Sequence, residues 1–323
     1  MRNNTLFLVL PCYNEEETLE SSHRELSAFL KNLIGQGIIS DRSKMLFVDD
    51  GSADRTWEII SALHDKDPMA EGLKLSRNKG HQIAIYAGIE EASRHADAII
   101  TIDVDLQQDI NAIPEFMAAY QSGCDVVYGI RNDRNSDGFF KKSTATLYYK
   151  LMRRMGVDLI QNSADYRLLS KKAAKALLQY KESNLFIRGI VPAMGFKSGR
   201  VYFDVHEREH GTSKYTLHKM LRLAADGITS FSIVPIRMIL YFGILVLIYS
   251  IGVIIHDVYV YLIGDTITGW ASLQASIWFF GAVQLISVGI IGEYIGRIYM
   301  ESKHRPRFFI QEKTLHSDQD ADL

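Results

Sequence analysis

Thr101-Ile-Asp-Val-Asp-Leu-Gln107 closes an apolar run that begins at Ala98, and it sets two carboxylates at the end of what reads as a buried strand. Open α/β sheets collect their ligands outside the carboxyl ends of the strands. Two acids at that edge, spaced so that both can meet one cation, suit Mg2+ or Mn2+, ions that keep several waters and bridge to substrate phosphates. A nucleotide diphosphate is the natural ligand for such a pair. Acidic pairs at strand ends also cap turns, so the surroundings must decide between the two readings.

Working outward, Leu6-Phe-Leu-Val-Leu10 ends at Pro11-Cys-Tyr-Asn-Glu-Glu16, and Met45-Leu-Phe-Val48 ends at Asp49-Asp-Gly-Ser52. Both read as buried parallel strands. Helical spacing follows each, over 16–33 and 54–64, so strand, polar loop and helix repeat. Ser52 or Asp54 is expected to cap the second helix. A plain turn at Asp49, Asp50 and Gly51 is the simpler alternative. Three strand ends nevertheless bring at least five acids to one sheet edge. Like charges so concentrated repel unless a cation or hydrogen-bond donors lie between them, which favours a cation and nucleotide site.

The successive motifs Pro11-Cys-Tyr-Asn-Glu15, Asp49-Asp-Gly-Ser52, Arg77-Asn-Lys-Gly80 and Asp103-Val-Asp-Leu-Gln107 resemble those of family-2 glycosyltransferases. The similarity is greatest to the polyisoprenyl-phosphate glycosyltransferase branch, which includes dolichol-phosphate mannose synthase and the bactoprenol glucosyltransferases. It continues through Asp165-Tyr-Arg-Leu-Leu-Ser170, Glu207-Arg208, Gly211-Thr-Ser-Lys-Tyr215, Gly292-Glu-Tyr-Ile-Gly-Arg297 and Arg305-Pro306, and so covers about residues 5–310.

The resemblance implies an α/β fold of the GT-A (Rossmann-like) type, a mostly parallel sheet domain followed by an interfacial helix and a two-helix transmembrane hairpin. It implies inverting transfer of a hexose from a UDP-sugar donor to undecaprenyl or another polyprenyl phosphate, giving a glycosyl phosphoryl polyprenol for cell-envelope glycan modification. Glucose is favoured, with N-acetylglucosamine and galactose as alternatives. Mg2+ or Mn2+ would lie at Asp103, Asp105 and Gln107, and Asp105, Asp165, Arg167 and Arg208 would carry the chemistry. Pro11, Tyr13, Glu15, Asp50 and Asp103 would hold the nucleotide, Asp50 by bonding the base. Arg131, Lys141, Lys142, Arg208, Ser213 and Lys214 would meet the diphosphate and the acceptor. Related enzymes imply a homo-oligomer, a tetramer. The chain departs from the pattern at Gln108-Asp109-Ile110, at Lys79-Gly-His81 and at Ala164, which bears on the sugar and acceptor pockets.

Composition fits this reading. A net charge of −2 argues against a nucleic-acid partner. Two cysteines, Cys12 and Cys124, do not make a disulfide framework, and a reducing cytosol is compatible. The first apolar run is too short for a signal peptide and is cut by Pro11.

The C-terminal third changes character, with no charge from Met238 to Ile255 or from Ala271 to Gly292. The second run spans a hydrocarbon core, and the first does so if extended through Leu262. Lys219, Arg222 and Arg237 precede the pair and Arg297, Lys303, Arg305 and Arg307 follow it, while the intervening loop has neither Lys nor Arg. By the positive-inside rule the loop faces outward. The expected organisation is a cytosolic domain over 1–212, amphipathic juxtamembrane helices over 213–235, a transmembrane hairpin over 236–298 (237–262 and 271–296) and a cytosolic tail over 299–323. The charge bias predicts a multi-pass chain with a lipid bilayer as partner and both termini cytosolic, and the resemblance implies that the membrane is the bacterial plasma membrane. Glu293 and Arg297 are expected to pair on one helix face.

His206-Glu-Arg-Glu-His210 matches the zinc-protease pattern H-E-x-x-H, a chemistry that needs both histidines on one helix face. The strand-like Val201-Tyr-Phe-Asp-Val205 before it and Gly211 after it speak against that helix. Two rival functions remain. A catalytically inactive membrane scaffold is disfavoured by the intact acids at 50, 103 and 105. A processive polysaccharide synthase would need more spans and a Gln-x-x-Arg-Trp motif, which the chain lacks.

Overall fold

The computed structural model describes residues 4–132, 160–182, 185–204, 234–262 and 269–315. Two compact units are present, one built from Met1–Arg153, Asp158–Lys214 and Pro306–Leu323, the other from Arg154–Val157 and Tyr215–Arg305.

In the first unit the apolar runs become strands β1 (Leu6–Cys12), β2 (Lys44–Asp49) and β4 (Ala98–Thr101), joined by β3 (Ala70–Leu75), β5 (Val126–Arg131), β6 (Ser163–Ser170), β7 (Ser198–Phe203) and β8 (Ile310–Lys313). Their order across one sheet is β7-β5-β6-β4-β1-β2-β3-β8. β4, β1, β2 and β3 run parallel, as do β5 and β7, whereas β6 and β8 are antiparallel to their neighbours. The three acidic strand ends therefore sit side by side, as the sequence predicts.

Strand alternation divides the core between the two faces of the sheet. Leu6, Leu8 and Leu10 join Leu19, Leu26 and Leu30 of α1 (Leu19–Gly35) in one cluster. Val9 and Val48 meet α3 (His81–His95) on the other face at Gly88. A Cβ at Gly88 would lie 2.3 Å from the Val9 side chain, so only glycine lets this helix sit so close to the sheet. α2 (Thr56–Lys66) and α4 (Ile113–Gln121) follow β2 and β4, and α5 (Lys171–Leu177) and α6 (Ile187–Ala193) follow β6.

Three details differ from expectation. α1 begins at Leu19 rather than Glu16, because Glu15 and Glu16 are used to tie the preceding loop to its neighbour. The cap position of α2 is Arg55, without a side-chain bond. Asp54 instead accepts from the Thr56 N–H and hydroxyl, at 3.0 and 2.6 Å, and Ser52 accepts from the Asn14 N–H. Finally, residues 310–313, within the expected cytosolic tail, form β8, a strand at the edge of the sheet that the apolar runs do not mark.

The second unit contains α7 (Val234–Leu262) and α8 (Trp270–Ser302). Among the described residues one segment, Phe279–Ser302, is long and apolar enough to cross a membrane. It leaves Leu285, Ile286 and Ile298 largely exposed, and Glu293 and Arg297 pair at 3.1 Å as expected.

Candidate active site

The site is built from loops at the carboxyl ends of β1, β2, β3 and β4, together with β6. After β1, Tyr13 stands half-exposed on a loop fastened at several points. Asn14 takes a left-handed φ of 55° and accepts from the Ala53 N–H at 2.9 Å, while the Glu15 N–H donates to the Thr56 hydroxyl at 2.9 Å. The Glu15 carboxylate accepts from the Thr18 hydroxyl, and Pro11 is buried opposite Val48 in β1. The Tyr13 loop is thus held rigidly to the loop after β2.

Asp50 is buried, and its two oxygens accept the N–H groups of Lys79 and Gly80, each at 2.7 Å. Beside it Gly51, with φ of 65°, packs on the Arg77 backbone so tightly that a Cβ would lie 2.6 Å from the Arg77 carbonyl carbon. Burial raises the Asp50 pKa, with Asp49 adding to it, although the two N–H bonds and His81 act the other way. Both oxygens of Asp50 are committed to the Arg77–Gly80 loop, so the residue organises that loop whatever else it meets.

At the end of β4, Asp103 and Leu106 close a turn through the Leu106 N–H, and Leu106 takes φ of 48°. The Asp103 carboxylate accepts from the buried Gln108 amide, which also accepts from the Asp103 N–H at 2.9 Å. Asp105 accepts from the Gln107 N–H at 3.3 Å. Burial raises the Asp103 pKa, opposed by His81 and increased further by the charges of Asp165 and Asp105.

Asp165 and Arg167 lie two apart on β6 and therefore share a sheet face. The fully buried Arg167 donates to the Asp165 carboxylate at 2.6 Å. Arg188, from α6, grips the same carboxylate through Nε and Nη2 at 3.1 and 2.9 Å. Burial alone would raise the Asp165 pKa, yet the charges of Arg188 and Arg167, the Arg188 bonds and His81 hold it well below the usual carboxylate range. Between the corners stands His81, with Nε2 3.7 Å from Asp103 and 3.8 Å from Asp165.

The structure thus brings Asp103, Asp105, Asp165 and Arg167 together, with Gln107 beside Asp105 and with Asp50 on the same edge. Arg131 ends β5 in an exposed position and makes no described contact with this group. Lys141, Lys142, Arg208, Ser213 and Lys214, like His206 and His210, lie outside the described residues. His81, Gln108 and Arg188 join the site beyond the residues to which the sequence points. The first two stand where the chain departs from the family pattern, but no local signal marks Arg188.

Among the described residues no three His, Cys, Asp or Glu side chains are arranged as a metal cage. Mg2+ and Mn2+ of nucleotide sites need none, because one or two carboxylates plus substrate phosphates and water complete the shell. Asp103 and Asp105 fit that demand. They are hard oxygen donors on a tight turn; burial chiefly raises the Asp103 pKa, the Asp165 and Asp105 charges add to it, and a bound cation would relieve both.

Sequence comparison agrees with this architecture. Residues 7–178 match Glycosyl transferase family 2, and the chain belongs to that family. It has the GT-A fold and is a glycosyltransferase. Among its relatives, the uncharacterized glycosyltransferase YkoT of Bacillus subtilis is 47% identical over 94% of this chain and 90% of its own length. The bactoprenol glucosyl transferase of Shigella phage SfV is 40% identical over 95% of this chain and 98% of its own. Among solved structures, glucosyl-3-phosphoglycerate synthase of Mycobacterium tuberculosis aligns over 70% of this chain and 78% of its own at 18% identity, with a TM-score of 0.44.

Proposed function

We propose that this enzyme moves a hexose, glucose first among the candidates, from a UDP-sugar to a polyprenyl phosphate at a membrane surface. The observation that carries this reading is the full-length similarity to bactoprenol glucosyl transferases, joined to an acid-rich edge on which one corner is neutralised and the other is not. Asp103 and Asp105, with Gln107, would hold Mg2+ or Mn2+. When bound, that ion supplies Lewis-acid and electrostatic stabilisation of the departing diphosphate.

The chain's own residues do the rest. Tyr13, on its fastened loop with Pro11 and Glu15, frames the nucleotide, and Asp50 shapes the pocket by fixing the backbone of Lys79 and Gly80. A phosphate monoester has a second pKa of about 6, so the acceptor arrives largely dianionic and needs little help from a base. Asp165, strongly ionised and held by two arginines, is a poor proton acceptor and acts by positioning Arg188 and Arg167. An acceptor phosphate oxygen forms its bond to the anomeric carbon as the bond to UDP breaks on the opposite side, and the configuration inverts. Arg131, Lys141, Lys142, Arg208, Ser213 and Lys214 are the basic and hydroxyl groups assigned to the acceptor and the diphosphate.

Residues 237–262 and 271–296 form the membrane hairpin, supported by the two long helices and their exposed apolar side chains. The catalytic unit and both termini face the bacterial cytosol, and the chain assembles as a tetramer.

The test is UDP release by the detergent-purified protein from UDP-glucose, UDP-N-acetylglucosamine and UDP-galactose, with and without polyprenyl phosphate. Release that depends on the lipid, and a lipid-linked single hexose, are the expected results. No release would support an inactive scaffold, a polymer would support a processive synthase, and either outcome refutes the proposal.

A further inference from the structure

Residues 306–315 follow α8 in sequence and pack on the catalytic unit beside the segments that build the site. Arg307 donates from Nε and Nη2 to the Glu182 carbonyl at 3.2 and 2.9 Å, and from Nη2 to the Tyr180 carbonyl. Its guanidinium lies over the Tyr86 ring, 4.4 Å from the centroid. Tyr86 donates its hydroxyl to the Leu178 carbonyl at 3.1 Å, closing the contact from the other side. Two residues beyond Arg307, the Phe309 carbonyl accepts the Ser76 N–H at 2.9 Å, and Ile310 pairs with Leu75.

Each of these partners leads into the site. Ser76 immediately precedes the Arg77–Gly80 loop that grips Asp50. Tyr86 lies one helical turn from Gln82, which donates to Asp165 at 3.4 Å, and so belongs to the helix that also presents His81. Residues 178–182 precede, in sequence, the helix that carries Arg188. The nucleotide corner and the Asp165 corner therefore meet at one short segment that neither contains.

We infer that Arg307 is a positioning residue for both corners of the site, and that residues 307–310 form a brace fixing their separation. A planar guanidinium suits the task, because its fork holds two carbonyls in fixed directions while its face rests on an aromatic ring. The kinetic part of this inference rests on the glycosyl-transfer reading; the structural part does not.

The experiment compares full-length wild type with Arg307→Met, Arg307→Lys and Tyr86→Leu, measuring amide hydrogen exchange and donor kinetics with UDP-glucose. Arg307→Met is expected to speed exchange across 76–80 and 186–190 while β1, β2 and β4 stay protected. It should raise the donor KM and lower kcat together, the combined loss being about ten-fold or more, since small misplacements at a reacting centre are costly. Arg307→Lys should recover part of that loss, and Tyr86→Leu should shift the same segments less. Unchanged exchange in both segments would overturn the inference. So would a fall in kcat at constant KM, which signals fewer folded molecules, or loss of protection throughout the sheet in both Arg307→Met and Tyr86→Leu. If wild type proves inactive toward UDP-glucose and polyprenyl phosphate while the exchange result holds, the catalytic reading fails and the brace stands.

Discussion

Asp165 and Asp103 stand at one sheet edge, share His81 as a neighbour, and are pushed in opposite directions by their surroundings. Asp165 is the more enclosed of the two, yet two guanidinium groups reach its oxygens and hold it ionised. At Asp103 burial is the largest influence; His81 opposes it, the Gln108 amide brings no charge, and the Asp165 and Asp105 carboxylates push the same way as burial. Asp50 belongs with Asp103 in this respect, because backbone N–H groups satisfy its hydrogen bonds without neutralising its charge. The lesson is that hydrogen-bond satisfaction and charge balance are separate matters. One corner was folded with its own cations, and the other keeps a surplus of negative charge for which an arriving cation is the natural partner.

The largest expected effect would break the balanced corner. Asp165→Asn leaves Arg167 as a buried charge without its counter-ion, and loss of one member of such a pair costs about 3–5 kcal/mol. Denaturant unfolding of the catalytic unit measures it. Arg188→Met should cost much less, since Arg188 is 42% exposed and water can replace much of its contact. The sign of the pH dependence follows from the lowered Asp165 pKa. Its contribution is present above the unfolded carboxylate value of about 3.9 and is lost as pH falls below that value. The mutant should therefore lack part of the wild type's acid sensitivity there.

Asp105→Ala attacks the unbalanced corner and should do the reverse. Transfer should fall by about 100-fold or more, roughly 2.7 kcal/mol of transition-state stabilisation, while unfolding stays within about 0.5 kcal/mol of wild type. Initial rates and a thermal melt on one preparation check both halves. A stable mutant of normal rate would remove Asp105 from the reaction.

The smallest effect belongs to Asp50→Asn, which leaves one of the two loop N–H groups without its acceptor and should cost about 1–2 kcal/mol. Because the Asp50 pKa is raised, the folded state holds its proton more tightly, so wild-type stability from this group falls as pH rises just above about 3.9. Removing the carboxylate should make stability climb more steeply with pH in that window. Equilibrium unfolding at several pH values between 4 and 6 would show it.

The sequence made the acidic edge legible because β1, β2 and β4 are continuous apolar runs that stop at polar loops, and parallel strands so placed bring their ends together. The charge balance was less legible. Arg188 lies on a short helix containing Pro192, and only the tertiary fold carries it to Asp165. Strand β8 escaped for a related reason. Ile-Gln-Glu-Lys has no apolar alternation, and its place is set by backbone pairing with β3, by Glu312 accepting from Trp57 and by Lys313 near Glu91. The cap of α2 falls at Arg55, one residue past Asp54 and three past Ser52, because Ser52 and Asp54 bond across to the Tyr13 loop as well as within their own turn.

The most direct measurement is Mn2+ binding followed by electron paramagnetic resonance, with and without UDP, on wild type and on Asp103→Asn and Asp105→Asn. One Mn2+ per chain bound far more tightly with UDP than without it, and weakened in both mutants, is the expected result. Binding that is indifferent to UDP, or unchanged when either carboxylate is neutralised, would contradict the assignment of the unbalanced corner to a cation and a diphosphate.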